Sequence, residues 1–107
     1  MTDFIQASFT TDDRDQADLI ARRMVERRLA ACAQLVGPIH STYWWKGRVE
    51  SSEEWLCLLK TRRTLFDRLR EAIAEAHPYE VPEIIATPIV AGHGAYMDWM
   101  ARELASG

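Results

Sequence analysis

Seven consecutive residues, His77-Pro78-Tyr79-Glu80-Val81-Pro82-Glu83, carry more chemistry than any other stretch of the sequence. An imidazole, a phenol and two carboxylates stand on a backbone stiffened by two prolines. Each proline fixes its own φ, removes a donor and pushes the preceding residue towards extended geometry. A rigid, extended connector of this kind can hold polar side chains ready for a ligand. Imidazole and carboxylate together suit copper(II) or another divalent cation. His77, Glu80 and Glu83 are therefore the candidate metal ligands, with weak binding expected from one imidazole and two carboxylates. The same run also fits a proline-punctuated turn whose polar groups face water, with His77 hydrogen-bonded at a helix end.

The remaining donors are scattered. His40, His93, Cys32 and Cys57 show no C-x-x-C or H-x-x-x-H spacing, so no closed zinc site is expected. Both cysteines lie inside apolar runs and read as small core hydrophobes, reduced and buried. Cys32 with His77 would be the nucleophile and base of a catalytic pair. Nothing supplies an orienting group or an oxyanion donor, so no catalytic residue is assigned and no enzyme is expected. A small-molecule pocket is the third possibility. Cys32, Lys60, Thr61, Tyr79 and Glu83 sit near element ends, and a neighbouring subunit could bring Tyr43 or Trp45 beside them. Lys60 and Glu83 could equally be a structural ion pair.

The elements that must position these groups follow from periodicity. Phe4, Gln6 and Ser8 alternate against Ile5, Ala7 and Phe9, which predicts a strand to Thr10. Thr10 and Asp13 have capping-box spacing, and Ala17, Ile20, Ala21, Met24 and Val25 form a helical stripe to about Arg28. Leu29 to Trp45 and Arg48 to Leu59 read as one long hairpin with a Lys46-Gly47 turn and a bulge at Gly37-Pro38. Arms of roughly 13 to 15 residues at ~3.3 Å each exceed 40 Å. Typical strands have about 5–6 residues, so a small domain leaves the far end uncovered. Trp55 to Leu59 lacks alternation, which predicts a central strand buried on both faces. A second helix follows, with Leu65, Leu69, Ala72, Ile73 and Ala76 on one side and Thr64-Asp67 as a capping box. After the connector comes a strand over 83–90, at an edge because of Pro88. A short helix carrying Tyr96, Trp99, Met100 and Leu104 ends the chain. The order βαββαβ plus a C-terminal helix is α+β and ferredoxin-like, an antiparallel sheet with a long protruding hairpin. The exposed strand edges and Tyr43-Trp44-Trp45 predict self-association rather than a monomer.

The bulk numbers narrow the function. A chain of 107 residues makes one domain, 1–107, the default. Thirteen basic against 16 acidic residues give a net charge of -3, which argues against nucleic acid as the main partner. Arg22, Arg23, Arg27 and Arg28 are diluted by acidic neighbours and read as a solvated face. No apolar run nears the roughly 20 residues of a membrane span. The first residues show no basic start leading into an apolar stretch, so a cytoplasmic location is expected.

Several stretches read together in one register: Leu29-Ala30-Ala31-Cys32, Tyr43-Trp44-Trp45-Lys46-Gly47, Lys60-Thr61, the His77–Glu83 run, Pro88 and Ala91-Gly92. The set resembles the CutA family of divalent-cation tolerance proteins over nearly the whole chain. The resemblance implies a homotrimer similar in shape to PII proteins, a cytoplasmic location, a link to copper and other divalent metals, and no catalysis. It also implies copper ligands at a Cys near the end of the first strand and at two adjacent His before Pro-Tyr. Phe9 and Ala76 stand at two of these positions, and His77 at the third. The other functional class compatible with such a trimer is a PII-like sensor or scaffold, with a small ligand or partner protein in the clefts between subunits.

Overall fold

The computed structural model describes residues 2–107. The elements run β1 (Phe4–Thr11), α1 (Arg14–Glu26), β2 (Cys32–Trp45), β3 (Arg48–Arg62), a 3-10 turn at Arg63–Leu65, α2 (Phe66–Ala76), β4 (Ile84–Pro88) and α3 (Gly94–Glu103). The strands form one sheet in the order β2-β3-β1-β4, with every pair antiparallel. This is the expected α+β order, and β3 is central as its apolar run requires.

Alternation in β1 buries Ile5, Ala7 and Phe9 against the helices. Their register partners Thr61, Leu59 and Cys57 on β3 share that face and are buried with them. Ala17, Ile20, Ala21 and Met24 of α1 and Leu69, Ala72 and Ile73 of α2 close the layer. Val25, expected in the same stripe, is exposed. The other face of β3 is only half covered, so the expectation that Trp55–Leu59 is buried on both sides does not hold. Residues Val36 and Ile85 on that open face are exposed.

The helix starts differ from those expected. β1 pairs with β3 out to Thr11↔Trp55, which draws Thr10 into the sheet. Asp13 then caps α1, with Oδ1 accepting from the amides of Asp15 at 2.9 Å and Gln16 at 3.2 Å. Thr64 caps nothing, because the 3-10 turn places Leu65 at the start of α2. At the far end of α1, Leu29 N donates to Met24 O at 3.0 Å and Arg28 N to Val25 O at 2.9 Å. These bonds make a Schellman ending with Arg28 in the left-handed region, φ 58°.

The hairpin has arms of 14 and 15 residues, as their apolar and aromatic content predicts. Lys46 (φ 50°) and Gly47 (φ 79°) form its two-residue turn. The register breaks between Val36 and Ile39, so Gly37-Pro38 is the bulge where the arm leaves the core sheet. The arm makes the molecule long, 44 × 24 × 22 Å. β4 is shorter than expected and pairs with β1 alone, an edge position that tolerates Pro88.

Candidate functional site

His77 is the first residue past α2, at φ -83° and ψ 135°. Its ring Nδ1 lies 3.1 Å from the amide of Tyr79, and Nε2 lies 2.7 Å from the carbonyl of Thr10. An amide can only donate, so Nδ1 holds the lone pair. Nε2 therefore carries the proton and donates to Thr10. Both nitrogens are committed to the backbone, and the residue is 7% exposed. Phe9 meets the ring edge-on at 6.0 Å and Tyr79 at 4.6 Å. The imidazole thus pins the connector to the end of β1. A metal at Nδ1 would have to displace the Tyr79 amide, and one at Nε2 the bond to Thr10. Among the described residues no three His, Cys, Asp or Glu side chains converge to hold a metal ion.

The connector's other groups meet the hairpin. Tyr79 donates its hydroxyl to Glu54 Oε2 at 2.8 Å. Burial pushes the phenol's pKa well above its ordinary value, and the Glu54 carboxylate and the charge of Asp12 push the same way. Glu54 is 5% exposed, a charged side chain nearly out of water. It was not among the residues singled out from the sequence. Its signal lies in strand parity: Glu54 is two residues before Leu56 and four before Leu58, on the face that β3 turns away from the helices.

A groove of about 770 Å³ runs between this face of the hairpin and the connector. Register pairs Ile39 with Glu54 and Ser41 with Ser52, so Ser41, Tyr43 and Trp45 share one face of the arm. Tyr43 and Ser52 close a hydroxyl pair at 3.1 Å across the strands. Tyr79, Glu80 and Glu83 form the opposite wall. Four carboxylates line the space, those of Asp12, Glu54, Glu80 and Glu83, and no lysine or arginine does.

Within a single chain the residues expected to line the pocket lie in two places. Tyr43, Trp45, Tyr79 and Glu83 line the groove together. Cys32, Lys60 and Thr61 lie at the other end of the sheet. Cys32 is paired in register with Lys60, whose ammonium donates to Gln34. Thr61 is buried on the opposite face and donates to Leu29 O at 2.7 Å. Among the described residues, Lys60 and Glu83 form no ion pair. Both cysteines are free. Cys57 is fully buried, which pushes its thiol pKa up to about 12, with the charges of Cys32 and Asp18 adding to the effect. Cys32 is only half-buried, against expectation, and lies near the Tyr96 hydroxyl, whose pKa burial and Cys32 both raise.

The family model described as CutA1 divalent ion tolerance protein matches residues 5–103. The chain belongs to the CutA family. The divalent-cation tolerance protein CutA of Thermus thermophilus is 43% identical over 91 residues, which is 85% of this chain and 88% of that protein. Protein CutA of Mus musculus is 42% identical over 97 residues, covering 90% of this chain and 55% of the relative. The chain thus spans about half the length of that mammalian relative. The crystal structure of CutA1 from Oryza sativa superposes with a TM-score of 0.94 at 35% identity, covering 97% of this chain and 95% of the other. The family descriptions name tolerance proteins, not enzymes. Among the described residues no helix is long and apolar enough to cross a membrane.

Proposed function

We propose that this CutA chain is a non-enzymatic divalent-cation tolerance protein that works as a homotrimer and binds copper(II) or a related divalent cation weakly. The observation that carries the metal reading is the groove: four carboxylates face one space with no basic residue in its lining. Carboxylate oxygens that do not converge suit a cation that keeps most of its water, which makes for weak and unselective binding. Glu80 and Glu83 are the exposed ligands of choice, while His77 is held by its two backbone hydrogen bonds.

The assembly reading rests on what one chain leaves uncovered. Trp44 is 75% exposed at the hairpin end, Val49 lies across from it, and Val36 and Ile85 stand on the open sheet face. β2 and β4 are bare edges. Closed rotational symmetry removes such edges in a single arrangement, and a PII-like trimer is one. Two free cysteines fit the reducing cytoplasm. The groove's volume also suits a small-molecule sensor, although its charge disfavours an anionic ligand.

Calorimetric titration with copper(II) tests the metal reading. Weak binding should survive in His77→Ala and fall by about tenfold or more in the Glu80→Gln/Glu83→Gln double variant. Binding that is lost in His77→Ala and retained in the double variant would return the site to the imidazole.

A further inference from the structure

We draw no further inference here: the strongest candidate, the side-chain cluster of Cys32, Lys60 and Tyr96 at the end of the open sheet face, has one half-buried thiol and no second feature that points to a ligand, and it stands on the face that the proposed assembly covers.

Discussion

His77 shows how far a residue type can be read from sequence. Its place on a stiff connector was legible, and so was a hydrogen-bonded role at the helix end. Which role it plays depends on the carbonyl of Thr10, 67 positions away in sequence and brought 2.7 Å from Nε2 only by the fold. His77→Ala should cost about 2–4 kcal/mol in urea unfolding, since it orphans a buried carbonyl and an amide and leaves a cavity. A ligand-only histidine would cost almost nothing. Tyr79→Phe should cost about 1–3 kcal/mol, because the largely buried Glu54 then loses the phenol's hydrogen bond at Oε2. Glu54 itself escaped notice because a charged residue on a long hairpin arm reads as solvent-facing. Only the connector's return against the arm buries it. Cys57 gives a pH signature. Its thiol has an ordinary pKa of 9.0 and is raised to about 12 in the fold. Between those values the folded state holds the proton that the unfolded state has lost. Stability should therefore be flat below pH 9 and fall by up to ~1.4 kcal/mol per pH unit above it. Tyr79 adds in the same direction at higher pH. Unfolding of Cys57→Ala across the same range should show a shallower alkaline loss.

The elements were legible where one physical rule dominated. Strand alternation and the two-residue turn appear where the side-chain pattern puts them, and so do the helical stripes except at Val25. The helix starts did not, because strand pairing competes with capping for the same threonine: the ladder takes Thr10 and Asp13 takes over the cap. The Schellman ending of α1 carried no glycine to announce it. Arg28 accepts the left-handed conformation while its side chain bonds Glu103 O at 2.9 Å and Oε2 at 3.2 Å. Ala105 N also donates to the Arg28 carbonyl at 2.9 Å. These bonds tie the end of α1 to the end of α3. At the hairpin turn, Gly47 has φ 79° and open space around its Cα. Gly47→Ala should therefore cost about 1 kcal/mol from backbone conformation alone, measurable by thermal unfolding. Gly37→Ala is a different case. A Cβ there would fall 2.4 Å from Trp55 Cδ1, so the indole must move or the bulge must open. Near-ultraviolet circular dichroism should register the displaced tryptophan.

At the scale of the molecule, the strand order followed from the sequence, and the spread of the pocket residues over a single chain did not. A linear reading placed Cys32, Lys60 and Thr61 with Tyr79 and Glu83 because all lie near element ends. The sheet sends the first three to one end and the last two to the other. The proposed trimer would cover the same exposed surface that the hairpin creates. Light scattering at micromolar concentration should give three times the 12.3 kDa chain mass. The central claim is that cations enter through the carboxylate groove and bypass His77. Anomalous diffraction from a crystal soaked in copper(II) chloride tests it most directly. The account predicts a partly occupied peak between Glu80 and Glu83, with the bonds from His77 to Thr10 and Tyr79 intact. A peak on an imidazole nitrogen of His77, with those bonds broken, would contradict it.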